Sequence, residues 1–156
     1  LNKMIGLSAL KYYILKVDPK RRMLFNPAES IDFNGNTGPF IQYAYARIQS
    51  LKRKAGELPT IEWASIHPEQ AELNLIQEMT QFPTVIAEAA TNLSPAQVAN
   101  YAYDLVKTFN SYYQKFSILA SGDDNTNAFR LALADQMANI VQRAMYLLGI
   151  DCPERM

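Results

Sequence analysis

Between Ser94 and Phe116 the apolar residues Val98, Ala102, Leu105, Phe109 and Phe116 recur at the spacing of one helix face. That period commits the stretch to a long amphipathic helix, which must bury its stripe against other helices. Ser94 with Gln97 three residues on predicts a capping box, and Pro95 suits the first helical position. Tyr101 and Tyr112 flank the stripe on one side, Val106 and Tyr113 on the other; such tyrosines bury the ring and keep the hydroxyl wet. A second long helix is predicted from about Asn127 to Leu148, with Leu133, Ala134, Met137, Ile140, Val141, Ala144, Met145 and Leu148 inward. Gly149 and Ile150 then fit a Schellman ending with its apolar contact. Arg130 falls at the centre of that inward sector. A cation there either pairs with an acid from another helix or leaves through the bundle end toward a ligand.

Shorter helices fill the rest. Residues 5–16 carry Ile5, Ala9, Tyr12 and Tyr13 at helical spacing and stop before Asp18-Pro19. Asn26-Pro27 reads as a cap and first position of a very short helix. Pro39 starts another, which runs to about Lys54 and ends at Gly56 and Pro59. His67-Pro68-Glu69-Gln70 opens a helix with Ala71, Leu75, Ile76 and Met79 inward, and Thr84 to Ala90 forms one more. The polar run Ser121–Thr126, Asp123 and Asp124 included, reads as a solvated loop. No stretch alternates as a strand. The class is therefore all-α: a bundle of about five helices after residue 38, preceded by a short helical segment. We divide the chain into 1–37, a leading segment, and 38–156, the bundle.

At 49% apolar and 19% charged residues, the 156-residue chain is globular and large enough to bury a core. No run reaches 18 apolar residues, and no secretory signal is present. A single cysteine, Cys152, excludes an internal disulfide and a multi-cysteine metal site. The chain opens on Leu1 and is read as a piece of a longer protein. Its net charge is zero, but unevenly spread. Residues 1–55 hold ten Lys and Arg against three acids, and the remainder five against twelve. Such asymmetry suggests one face that attracts polyanions and another that does not.

Within that basic half, Tyr43, Arg47, Ser50 and Lys54 lie within roughly 60° of one another on the helix surface. An aromatic ring, cations and a hydroxyl along one edge are what a nucleic-acid contact needs, since rings stack on bases and cations meet phosphates. The plainer reading of the same residues is that Tyr43 caps the core while Arg47 and Lys54 are solvated. Lys20-Arg21-Arg22 reads as a solvated basic turn, Trp63 as a cover for a core edge, and His67 as a surface or capping residue, with no second ligand at metal spacing.

Three segments carry a family resemblance. Residues 31–51, IDFNGNTGPFIQYAYARIQSL, resemble the junction between the catalytic core and the anticodon-binding helical domain of arginyl-tRNA synthetases. Residues 94–116, SPAQVANYAYDLVKTFNSYYQKF, are similar to that domain's central helix. Residues 130–156, ending in Pro153-Glu154-Arg155-Met156, look like its last helix and chain end. The resemblance implies that 1–37 is the tail of the catalytic half, beside the tRNA stem, and that 38–156 binds the anticodon. By resemblance Tyr43, Arg47, Tyr113, Arg130 and Met156 contact RNA, with Tyr112 an alternative to Tyr113 after a one-residue shift. It also implies a cytoplasmic monomeric parent that joins arginine to tRNA(Arg) through an adenylate, using ATP with Mg. The partners of this stretch are then tRNA(Arg) and the catalytic domain of the same chain, not a membrane.

No glycine-rich phosphate loop, metal-ligand constellation or nucleophile motif occurs in these residues, nor do the family's HIGH-like and KMSKS-like signatures. The expected role is recognition without catalysis and without a cofactor of its own. The competing reading is a helical bundle that docks another protein through an apolar edge.

Overall fold

The computed structural model describes residues 1–156. Its α-helices are α1 (Asn2–Leu15), α2 (Pro27–Ser30), α3 (Gly38–Ala55), α4 (Gln70–Thr80), α5 (Phe82–Thr91), α6 (Pro95–Lys115) and α7 (Asp124–Leu147), with a 3-10 turn at Trp63–Ser65. There is no strand, and five helices follow residue 38, so the fold is the expected all-α bundle. Helix α6 is the axis, in contact with α1, α3, α4, α5 and α7. Its stripe residues Val98, Ala102, Leu105 and Phe109 are buried among Ile41, Ile48, Leu75, Met137 and Met145. Tyr12 of α1 is fully buried in the same core, its hydroxyl between Asn36 Oδ1 at 2.6 Å and the Ala99 carbonyl at 2.8 Å.

Local chemistry sets most of the helix ends. Asn26 accepts from the Ala28 and Glu29 N–H groups and starts α2. Thr37 does the same for Phe40 at the start of α3, and its own hydroxyl donates to the Asp32 carbonyl. That helix begins at Gly38, one residue before the proline. Gly38 lies against α1: a Cβ there would fall 2.7 Å from the Ser8 carbonyl oxygen and closer still to its Oγ, so only glycine fits the crossing. At the far end of α7, Gly149 has φ +69°, its N–H donates to Tyr146 O, and the Ile150 N–H donates to Met145 O. With Ile150 buried, this is the Schellman ending the sequence predicts.

Three expectations are corrected. Ser94 makes no side-chain cap, and the Gln97 amide oxygen is buried without a partner. The α5–α6 link is instead tightened by Leu93, at φ +51°, and by the Ser94 N–H donating to Ala89 O. A capping box does form at Glu69 and Glu72, where α4 begins. Helix α7 starts at Asp124, not 127, because Asp123 accepts from the Thr126 N–H (2.8 Å) and hydroxyl (2.6 Å). Those bonds, the hydroxyl's first, hold the Asp123 carboxyl below its usual range. Finally, the Tyr101 and Tyr112 hydroxyls are not wet: they donate to Glu78 O and Glu72 Oε1, each at 3.0 Å.

Candidate nucleic-acid interface

Along the outer edge of α3, Tyr43 and Arg47 are one turn apart. The Arg47 guanidinium carbon lies 4.8 Å from the Tyr43 ring centroid and 5.5 Å from that of Tyr113, which α6 supplies. One cation is thus flanked by two aromatic faces, the geometry of a cation–π contact. Each ring has a further aromatic neighbour: Phe33 lies perpendicular to Tyr43 at 6.3 Å, and buried Phe109 stacks on Tyr113 at 6.0 Å. Tyr43 nevertheless keeps 43% of its surface open, so its ring remains available to a ligand.

The chain end completes the site. Met156 and Arg155 line a concavity of about 370 Å³ together with Tyr43, Arg47, Ser50 and Arg53. A second concavity of about 520 Å³ shares Tyr43, Arg47 and Met156 and extends over Ile5 and Phe33. Arg53 donates to the Glu154 carbonyl at 3.2 Å, and Gln42 Nε2 donates to the Asp151 carbonyl at 2.7 Å. Three arginines, two tyrosine rings, a hydroxyl and a thioether therefore converge on one open face. Such a surface can stack a splayed base and neutralise phosphates beside it.

The other two expected residues lie elsewhere, and their placement corrects the sequence reading. Tyr112 is buried, 2% exposed, and its hydroxyl donates to Glu72. Arg130 takes the inward option: Nε donates to the same Glu72 Oε1 at 2.8 Å, and another guanidinium nitrogen donates to the Ser117 carbonyl. Its guanidinium also sits 5.2 Å from the Phe116 ring. Side-chain exposures of 11% for Arg130 and 2% for Glu72 make this a buried pair. Burial first, then Glu72, raise the Tyr112 phenol well above its ordinary range. A one-residue step on a helix turns a side chain by about 100°, which is why Tyr113 reaches Arg47 and Tyr112 does not.

Glu72 and Gln42 are the residues that sequence reasoning missed. Glu72 shares a face with Leu75 and Met79, three and seven residues on, so its position on an apolar stripe was a readable signal. Gln42 carried none, because its partner is a carbonyl at the opposite end of the chain. Lys52 of the same helix is held by Asp135 at 2.6 Å. Trp63 does cover Phe129 edge-on at 6.3 Å, yet remains 67% exposed. Cys152 packs against the core, and burial pushes its thiol up to about 12.

The positive-φ glycines 56, 122 and 149 stand singly in separate connections, and no group of three His, Cys, Asp or Glu converges. No helix is long and apolar enough to cross a membrane.

Comparison with known proteins places this architecture. The sequence model described as the DALR anticodon binding domain matches residues 41–156, and the chain belongs to that family. It is 56% identical over its whole length to an arginine–tRNA ligase of Flavobacterium psychrophilum and 52% identical over 99% of its length to that of Phocaeicola vulgatus. It spans only 26% of either relative. Among solved structures, arginyl-tRNA synthetase of Thermus thermophilus superposes with a TM-score of 0.91 at 31% identity. The Plasmodium falciparum enzyme gives 0.84 at 28%; each match covers 99% of this chain and 27% of the other.

Proposed function

We propose that this chain reads the anticodon of tRNA(Arg) for a parent arginine–tRNA ligase, with Tyr43, Arg47, Tyr113 and Met156 as the contact set. The observation that carries the reading is the Arg47 guanidinium held between two tyrosine rings beside the chain end. An unstacked anticodon base would lie on the open Tyr43 ring, and Arg47, Arg53 and Arg155 would meet its phosphates. Arg130 serves this surface only indirectly, by holding α4, α6 and α7 together.

The parent, in this reading, is a cytoplasmic monomer. Arginine activation with ATP and Mg belongs to its other three quarters, so this chain alone should give no arginine-dependent ATP–pyrophosphate exchange. Helix α1 supports a catalytic domain in the same polypeptide. Opposite its buried side, Leu7, Leu10 and Ile14 stand exposed beside Lys3 and Lys11. The catalytic domain is the natural cover for these three apolar side chains.

Affinity for tRNA(Arg) as a function of salt tests the reading. Phosphate contacts make binding weaken steeply with salt, whereas apolar docking of a protein does not. Tyr43→Ala should cost about 1–3 kcal/mol at every salt concentration, because stacking releases no counterions. Arg47→Ala should lower the salt slope by about one unit if it neutralises a phosphate. Unchanged affinity in both folded variants would remove this face from the binding surface.

A further inference from the structure

The structure assigns Gln42 the part of a positioning residue: its buried amide ties down the chain end, so that Met156 completes the pocket made by Tyr43 and Arg47. This inference rests on the reading of that pocket as the anticodon site.

Gln42 is fully buried, yet only half of its amide is used. Nε2 donates to the Asp151 carbonyl at 2.7 Å, while Oε1 has no partner. An orphaned buried acceptor is unfavourable, and a methionine would fill the same space without one. What the glutamine adds over an apolar residue is therefore its single bond to the chain end. Residues 151–156 form no secondary structure and are held at four places. Ile150 is buried in the core at their root, Gln42 holds Asp151, Cys152 packs against the core, and Arg53 holds the Glu154 carbonyl. Release of the Asp151 anchor would leave the packing of Cys152 and the exposed Arg53–Glu154 bond as the only holds on the chain end. Met156 would then leave the pocket wall more often, and its effective concentration there would fall.

The test uses the full-length ligase carrying this sequence, with Gln42→Met, deletion of Met156, and both together. Circular dichroism checks folding, and Gln42→Leu replaces the first variant should it not fold. Gln42→Met should weaken tRNA(Arg) binding roughly 2- to 10-fold, the range of one net hydrogen bond, and should add nothing once Met156 is deleted. In the 156-residue chain without RNA, Gln42→Met should make the ¹³C-methyl signal of Met156 sharpen and move toward its random-coil position. A Met156 signal that stays in place, or an equal loss of affinity with and without Met156, overturns the inference in favour of a merely structural glutamine. If deleting Met156 is silent while Tyr43→Ala weakens binding, the inference falls and the anticodon reading stands. If Tyr43→Ala is silent too, both fall.

Discussion

Two arginines in this chain lie against aromatic rings, and they are set apart by what stands opposite the charge. Arg47 faces Tyr43 and Tyr113 on an open surface; Arg130, over the Phe116 ring, faces Glu72, which also accepts from the buried Tyr112. Removing one member of a buried pair strands the other in a medium that solvates it poorly. Arg130→Ala should therefore cost about 3–5 kcal/mol in urea unfolding. The triple change Glu72→Leu, Tyr112→Phe and Arg130→Met should recover most of that loss, since apolar replacement of a buried pair is often neutral or stabilising. Under native conditions the triple variant should bind tRNA like the parent. Tyr43→Ala should do the reverse, moving the unfolding midpoint little, as exposed positions do, while weakening RNA binding.

Among the elements, the contact between α1 and α3 has the least room. Gly38→Ala must displace the backbone at Ser8, and overpacking of this kind costs about 1–3 kcal/mol. Thermal melting of the variant checks it, and an unchanged melting point would mean that the crossing can open freely. The α5–α6 link offers the opposite test. Leu93 is left-handed and 81% exposed, so its side chain gains little from packing and bears the steric penalty of positive φ. Leu93→Asn should raise the melting temperature. These two sites also mark how far local sequence could be read. Thr37, Asn26 and Gly149 end their helices as their chemistry predicts, because each acts within a few residues. Ser94 does not: its backbone is extended as a cap residue's is, but its hydroxyl makes no bond to the first turn of α6. Tyr43 and Arg47 were legible as one edge because i and i+4 always share a face. The choice between Tyr112 and Tyr113 was not, because both border the α6 stripe equally. Which of them meets α3 depends on where α3 packs. Met156 could be placed only by resemblance, because no local pattern says where an unstructured end will lie.

For the whole molecule, several weak acids are held in their neutral form by burial. Tyr101 is pushed up to about 12, Tyr12 and Tyr112 are raised further, and Cys152 also reaches about 12 from an ordinary value near 9. Each keeps its proton in the folded state at a pH where the unfolded chain would release it. Their stabilising effect is thus complete below about pH 8.5 and is lost as pH rises through the range above. The urea midpoint should be level from pH 7 to 8.5 and fall steadily toward pH 12. Cys152 should react with iodoacetamide at pH 8 far more slowly in the native chain than in urea. The clamp on Arg47 has a further consequence, in the kinetics of recognition. Its guanidinium is already seated between two rings, so a ligand finds it pre-ordered, and little conformational freedom remains there to be lost. The reorganisation on binding then falls on the RNA, whose base must unstack to reach Tyr43. The association rate should follow the opening rate of the anticodon loop, faster for loosely stacked loops and slower for rigid ones.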